Sequence, residues 1–344
     1  MKNRASILKK YLVEVGLIAF LLSMSALVVA ESCETSTPNV CGAFGEYDTF
    51  ECVPVTEYYD YGKVFNARVD YFLPNGCAPE AGWPVVWRFH GGGGNLSGSQ
   101  YKADGYSPTL TRPSRGNAAR VIKKLLESGF AVLAPHATSY LNWQTNWPWP
   151  YNWSNDYRFF TRFIADMKDS QVTSPEYLKL FDVGNMFAVG HSDGGAQASR
   201  MDRTWNEDFK AIALSEGMWS RCIALITSCN PVHIDWQHLP TLFMHAEADP
   251  TAQIVLAEIY ANALETADYP VEWRAVIALA SEDSDYVFSV GDYCEPGSDD
   301  YYCVHEQVAD PVDNTAHDWL ATSPIEVCNF FRRYLTPKGE DCSY

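Results

Sequence analysis

The chain has 344 residues and a net charge of −18 at neutral pH, with 25 Lys and Arg against 43 Asp and Glu. This acidic balance argues against nucleic acid and anionic membrane surfaces as partners, because both would repel the protein. The length would allow two domains, but the sequence has no repeat, low-complexity tract or linker, and one α/β domain of this size is ordinary.

The first thirty residues are typical of a secretory signal peptide. Four basic side chains lie within the first ten residues, residues 15–30 are apolar, and residues 28–30 offer small side chains for cleavage. The alternative is an uncleaved membrane anchor, but a span needs roughly 20 apolar residues. We therefore expect a secreted protein, extracellular or periplasmic, with no stable membrane association after cleavage, and a mature charge of −21 from 21 basic and 42 acidic residues.

All ten cysteines lie after residue 30, which indicates disulfides formed in an oxidising compartment. Close spacing suggests the pairs 222 with 229, 294 with 303 and 328 with 342, and would leave four cysteines to pair within residues 33–77. The sequence leaves this connectivity open. No Cys or His cluster has the spacing of a zinc site.

Apolar runs alternate with helical patterns along the rest of the chain. The predicted strands cover residues 64–73, 84–89, 130–134, 186–189, 209–214, 240–245 and 271–279. The predicted helices cover residues 117–128, 156–168, 253–266 and 324–335, with a further helical segment after residue 195. This alternation predicts an α/β fold with a mostly parallel, doubly wound sheet and helices on both faces. We expect residues 31–60 to form a disulfide-rich N-terminal segment packed on a single body, residues 61–344.

One stretch, residues 181–201, carries the strongest chemical signal. A short apolar strand, a turn with the sequence GHSDGG at 190–195 and a helix follow one another, which fits the pattern G-x-S-x-G with Ser192 at the apex. Gly190 and Gly194 keep the flanking positions small, so that the serine hydroxyl can stand clear of the sheet. The pattern predicts a nucleophilic serine.

A serine needs a base to take its proton and an acid to orient that base. Asp249 and His317 follow Ser192 in the chain order Ser, Asp, His, and Asp249 lies just after a strand end, directly before Pro250. Asp249 could instead cap the next helix, and His317 could be a surface or capping histidine. The rival acids are Asp235, Asp283, Asp285 and Asp292, and the main rival base is His305.

The run HGGGG at 90–94 directly follows a predicted strand. Glycines let backbone N–H groups approach a substrate oxygen without interference from side chains. We expect an oxyanion hole formed by the N–H groups of Gly92, Gly93 and Asp193. The alternative is a flexible loop without a catalytic role.

Four segments together resemble the α/β-hydrolase superfamily, most closely its secreted polyhydroxybutyrate-depolymerase and feruloyl-esterase branch. They read FHGGGG at 89–94, AVGHSDGG at 188–195, FMHAEADP at 243–250 and AHDW at 316–319, and the resemblance spans about residues 64–335. Ala246 stands where that branch usually has glycine, and Asp318 separates the histidine from the tryptophan. The resemblance implies hydrolysis of carboxylic esters.

Two loops bear on the substrate and on metals. The Trp-rich loop 140–153 follows a strand end, and its Trp143, Trp147 and Trp149 are candidates to bind a polyester, aromatic or sugar group, with loop packing as the alternative. The acidic loop 281–316 could bind calcium, but it lacks EF-hand spacing and is better explained as a solvated face.

The sequence therefore predicts a secreted serine esterase of the α/β-hydrolase fold that acts through an acyl-enzyme on an ester, polymeric or aromatic, and needs no cofactor. The alternatives are a serine peptidase of the same fold and a non-catalytic binding protein on that fold. Oligomeric state and the natural ester stay open.

Overall fold

A computed structural model of the chain describes residues 41–44, 49–52, 55–60, 66–91, 116–137, 143, 154–169, 176–217, 237–246, 249, 252, 254–279, 287–290, 319 and 323–336. The chain divides into two compact units, Met1–Thr37 and Pro38–Tyr344, and every described residue lies in the second. The predicted signal peptide is outside the described residues. Within those residues, no helix combines the length and the apolar character that a bilayer span requires.

The second unit alternates strands and helices as the sequence predicts. The strands are β1 (Cys41–Phe44), β2 (Thr49–Cys52), β3 (Val55–Asp60), β4 (Asn66–Phe72), β5 (Trp83–Phe89), β6 (Ala131–Pro135), β7 (Phe181–His191), β8 (Phe209–Ser215), β9 (Thr241–Ala246), β10 (Val271–Leu279) and β11 (Val287–Val290). The helices are α1 (Gly116–Glu127), α2 (Asn155–Lys168), α3 (Asp193–Trp205), α4 (Ile254–Thr266) and α5 (Ser323–Arg333), with a 3₁₀ turn at Glu176–Leu180.

Nine of these strands form one sheet in the order β11-β10-β9-β8-β7-β5-β6-β4-β3. The six central strands, from β10 to β6, are parallel to one another. At the two edges of the sheet, β11 pairs antiparallel with β10, β4 with β6, and β3 with β4. This arrangement confirms the predicted mostly parallel sheet. Because parallel strands need crossover connections, their carboxyl ends gather at one edge, where β5, β7 and β9 end beside the candidate residues.

Two apolar layers hold the helices on opposite faces of the sheet. Phe159, Phe163 and Tyr260, from α2 and α4, belong to one buried cluster. Ile122 and Phe331, from α1 and α5, belong to the other. Each helix buries one stripe of side chains against strands that are apolar on both faces, as expected for a doubly wound sheet.

The N-terminal segment is not wholly separate from the sheet. β1 and β2 form their own antiparallel pair, in which Cys41 lies opposite Cys52, whereas β3 pairs with β4 along the whole of residues 55–60. The boundary expected after residue 60 stays a prediction, and residues 55–60 form an edge strand of the main sheet. Cys77 and Cys328 each take part in a disulfide bond, and no described cysteine is free.

Candidate active site

Ser192 lies at the turn between β7 and α3, with φ 57° and ψ −123°. A positive φ is costly for a residue with a side chain, and such strain often marks a functional position. The Ser192 N–H donates to the Ser215 carbonyl at 2.9 Å, which ties the turn to the end of β8. The serine is half-buried, and its backbone has the strained turn that the G-x-S-x-G pattern predicts.

The two glycines of the pattern lie where backbones cross. A Cβ atom on Gly190 would lie 1.9 Å from the Gly194 carbonyl oxygen, and one on Gly194 would lie 2.4 Å from the Phe89 carbonyl oxygen. Neither contact is possible for a real side chain. The glycines therefore allow β7, α3 and the end of β5 to meet at Ser192.

The glycine-rich run starts beside the serine. His90 and Gly91 directly follow β5, and a Cβ atom on Gly91 would lie 3.4 Å from the Cβ of Ser192. Asp193 is the first residue of α3, where helix geometry leaves backbone N–H groups without an intrahelical acceptor. Gly91 and Asp193 thus approach Ser192 from two sides.

Trp143 is part of the support of this site. Its side chain is 3% exposed and belongs to a core cluster with Phe89 and Phe160. Its indole N–H donates to the His90 carbonyl at 2.8 Å. The expected role of Trp143 as an aromatic wall for the substrate is therefore corrected, because almost none of its ring is accessible.

Asp249 follows β9 and is 6% exposed. Its Oδ1 accepts the Ala252 N–H at 3.0 Å, so the carboxylate closes the short loop that leads to α4. At the end of β9, His245 Nε2 lies 2.7 Å from the Ala252 carbonyl and must donate, since a carbonyl only accepts. Ala252 therefore links His245 and Asp249, and the strand-end position expected for Asp249 is the observed one.

Glu216 and His245 were not among the predicted site residues. Glu216 is fully buried directly after β8, with φ 47°, and its Oε2 lies 3.3 Å from His245 Nε2. The Asp249 Oδ2 lies 4.0 Å from the same nitrogen. The available signal was a charged residue two positions after the apolar strand run at 209–214, but nothing local shows that neighbouring strand ends bring these groups together.

These three side chains are the group among the described residues whose ligand atoms, within 4.8 Å of one another, could hold a metal ion. The hydrogen bond from His245 Nε2 to Ala252 argues against Nε2 as a metal ligand, because a protonated nitrogen has no lone pair to give. We interpret the group as a buried cluster in which Ala252 links His245 to Asp249 and the Glu216 carboxylate lies next to His245.

Trp319 contacts the serine turn. Trp319 is 4% exposed, and its ring stacks on that of His191 with 5.6 Å between centroids. His191 directly precedes Ser192.

Several candidates lie outside the described residues. They are Gly92, Gly93, Trp147, Trp149 and His317, together with the rivals Asp235, Asp283, Asp285, Asp292 and His305. Of the Trp-rich loop only Trp143 is described, and of the acidic loop only β11. The geometry therefore brings together Ser192, Asp193 and the start of the glycine run, and places Asp249 at the end of β9.

Comparison with known proteins agrees with this architecture. Over 227 residues, which are 63% of this chain and 77% of the relative, the chain is 30% identical to the poly(3-hydroxyoctanoate) depolymerase of Pseudomonas fluorescens. The chain belongs to the depolymerase branch of the ester-hydrolysing α/β hydrolases. No protein-family model matches the sequence.

Solved structures with a similar trace include two esterases. A thermostable esterase is 16% identical, with a TM-score of 0.44 over 67% of this chain and 56% of its own. Thermogutta terrifontis esterase 2, phosphoramylated by tabun, is 15% identical, with a TM-score of 0.45 over 67% of this chain and 84% of its own. These TM-scores are too low to support an assignment of function or family. The assignment of the chain to the depolymerase branch is based on the sequence relative alone.

Proposed function

We propose that this member of the depolymerase branch is a serine hydrolase that cleaves carboxylic esters through an acyl-enzyme at Ser192. The observation that carries the proposal is the positive φ of Ser192, at a turn where the positions two residues before and two residues after the serine have room only for glycine. A serine in a strained strand-to-helix turn presents its hydroxyl at the edge of the sheet where α/β folds bind ligands.

The mechanism assigns one role to each candidate. Ser192 attacks the ester carbonyl, while His317 takes its proton and later gives it to the leaving alkoxide. Asp249 holds the imidazole in the required tautomer. The N–H groups of Gly92, Gly93 and Asp193 stabilise the oxyanion, and water then releases the acyl group.

Two contacts support the roles of the acid and the base. Asp249 is buried and closed by the Ala252 N–H, so its carboxylate has a defined direction at the strand end. Trp319, two residues after His317 in the sequence, packs against His191, which directly precedes Ser192. A histidine that enters from the last loop would complete the order Ser, Asp, His.

For the substrate we propose an ester of a hydroxyalkanoate polymer. The support is the sequence relative, which is a poly(3-hydroxyoctanoate) depolymerase. Trp147 and Trp149 are proposed to grip the chain of such a polymer, since aromatic faces bind apolar segments well. An aromatic feruloyl ester would use the same surface.

We also propose that the protein is secreted. The basic and apolar start of the sequence and the ten cysteines after residue 30 support this localisation. A depolymerase that works outside the cell meets its polymer without transport.

The test is hydrolysis of poly(3-hydroxyoctanoate), of p-nitrophenyl esters from acetate to decanoate, and of methyl ferulate. Ser192→Ala should lower kcat by roughly 10⁴–10⁶-fold, because the nucleophile and its base act as a unit. Ser128→Ala, at the end of α1 away from the site, is the matched control and should keep wild-type kcat.

Comparable turnover by Ser192→Ala would contradict the mechanism. Preference for decanoate and the polymer over methyl ferulate would support the polyester proposal, and the reverse preference would replace it with a feruloyl ester. A fluorophosphonate probe should label wild type and not Ser192→Ala, since labelling needs an activated serine.

A further inference from the structure

The carboxylate of Asp193 has no role in the proposed mechanism, which uses only its backbone N–H. The Asp193 Oδ2 accepts the backbone N–H of Trp143 at 2.8 Å. Fifty residues separate these two positions in the sequence. The bond therefore ties the first residue after the nucleophile to a distant loop.

Trp143 continues the connection towards the glycine run. Its indole N–H donates to the His90 carbonyl at 2.8 Å, and its ring lies 4.6 Å from the His90 ring between centroids. Phe89 packs against the same indole edge-to-face at 5.3 Å. Trp143 thus holds the main chain where β5 ends.

His90 is fixed in one neutral form. Its Nδ1–H donates to the Gly91 carbonyl at 2.7 Å, and its Nε2 accepts the Ala137 N–H at 3.1 Å. Burial lowers the pKa of His90 to about 3, so the ring stays neutral near neutral pH. With one nitrogen donating and the other accepting, the ring sets the direction of the Gly91 peptide.

We propose that the Asp193 carboxylate is a positioning residue, which holds the start of the glycine run against Ser192 through Trp143 and His90. The proposal rests on the proposed serine mechanism, because the glycine run matters as the source of oxyanion donors. We call the four residues Asp193, Trp143, His90 and Gly91 the oxyanion brace.

The reaction requires the oxyanion donors to be held at a fixed distance from the serine, and the oxyanion brace can fix that distance. Oxyanion donors must lie about 2.7–3.1 Å from the developing charge, and misplacement by about 1 Å can lower a rate roughly 100-fold. Four glycines in a row provide no side chains to hold themselves in place. A polar chain from the nucleophile turn to the first of these glycines sets the distance between serine and donors.

The first test combines Asp193→Ala, Trp143→Phe and the double variant. Each single change should lower kcat about 10–100-fold with KM within about twofold, because the brace acts on the transition state. If Asp193 acts through the indole, the double variant should be no slower than the worse single variant, since residues in one chain are not additive.

Conservative variants and controls separate positioning from folding. Asp193→Asn keeps an acceptor oxygen for the Trp143 N–H and should retain kcat within about threefold. Trp205→Phe removes an indole N–H at the far end of α3, about 18 Å away at 1.5 Å per residue, and should change neither kcat nor KM. If Asp193→Ala does not fold, Trp143→Phe and Asp193→Asn decide the kinetic question.

A second measurement does not depend on activity. Hydrogen–deuterium exchange of peptides covering residues 86–96 should rise in Asp193→Ala or Trp143→Phe, while peptides from α1 stay as in wild type. Unchanged exchange in residues 86–96, or additive losses of kcat in the double variant, would overturn the brace. Full activity of Ser192→Ala would instead overturn the serine mechanism, and the exchange result would still stand by itself.

Discussion

Ser192 and Glu216 both hold a positive φ at the ends of adjacent strands, β7 and β8. Such a backbone costs of the order of 1–3 kcal/mol for a residue with a side chain, so the surrounding structure must enforce it. The conformation of Ser192 is held by the hydrogen bond from its N–H to the Ser215 carbonyl and by the close backbone contacts at Gly190 and Gly194. That of Glu216 is held by the hydrogen bond from its N–H to the Met244 carbonyl at 2.8 Å.

Asp193 is a carboxylic acid in an unfavourable place for a charge. Its pKa is raised to about 6, mainly by burial and to a smaller extent by the neighbouring Asp156 carboxylate, while the hydrogen bond from the Trp143 N–H opposes the rise. A folded-state pKa above the usual value of 3.8 means that the folded protein binds this proton more tightly than the unfolded chain. This contribution to stability is therefore full at low pH and is lost as the pH rises through about 6.

We predict that Asp193→Asn stabilises the protein at pH 7.5, by roughly 1–2 kcal/mol after allowance for partial exposure, because it removes a costly charge. The gain should shrink between pH 6 and 4 and vanish below about pH 4. Thermal unfolding of both proteins across pH 4–8 checks this, with exposed Glu265→Gln on α4 as the control. A gain that persists at pH 4 would contradict the assignment to ionisation.

At the scale of elements, the ends of β8 and β9 build the acid side of the site. β8 supplies Glu216 and β9 supplies His245, and the loop after β9 brings Ala252 back to both His245 and Asp249. Ala252 is thus hydrogen-bonded both to the end of β9 and to Asp249. These bonds limit the directions that the Asp249 carboxylate can take before α4 begins.

The helices α1 and α5 pack together against one face of the sheet. Phe331 of α5 is fully buried, and its ring lies 4.9 Å from that of Phe187 on β7, the strand that leads to Ser192. Phe330 packs on Phe331 at 5.8 Å. This aromatic contact anchors the last helix beneath the nucleophile strand.

We predict that Phe331→Ala lowers the free energy of unfolding by about 3–5 kcal/mol, because it removes a buried ring and leaves a cavity. Denaturant unfolding measures the change. Ile259→Ala on α4, where the side chain is 38% exposed, is the control and should stay within about 0.5 kcal/mol. A loss below about 1 kcal/mol for Phe331→Ala would mean that α5 is not anchored by this ring.

At the scale of the whole molecule, disulfides add to the core. Cys77 and Cys328 are both disulfide-bonded, and Cys328 lies fully buried on α5. Their positions bracket most of the sheet in the sequence. A chain that carries a net charge of −18 repels itself, so links that restrict the unfolded state are useful here.

We predict that full reduction lowers the unfolding free energy by about 2–5 kcal/mol for each bond broken. The measurement is the melting temperature with and without a strong reductant, with thiol titration to confirm that reduction is complete. Ser192→Ala should show the same shift, since the effect belongs to the fold. An unchanged melting temperature after complete reduction would show that the bonds do not contribute to stability.

Much of this architecture was predictable from local pattern. Apolar runs and helical periods placed β4 to β10 and α1, α2, α4 and α5 within a few residues, because periodicity depends on neighbours in the sequence. The short strands β1, β2, β3 and β11 were missed. Their sequences carry no clear alternation, and they exist through pairing with other strands.

The candidate site divides in the same way. The Gly-Ser-Gly turn, the strand-end position of Asp249 and the family could be predicted from the sequence, because they depend on residue types at fixed short spacings. The burial of Trp143, its hydrogen bond to Asp193 and the proximity of Glu216 to His245 are seen only in the folded structure. These contacts join residues 29 to 53 positions apart, and side-chain packing across such distances leaves no local pattern in the sequence.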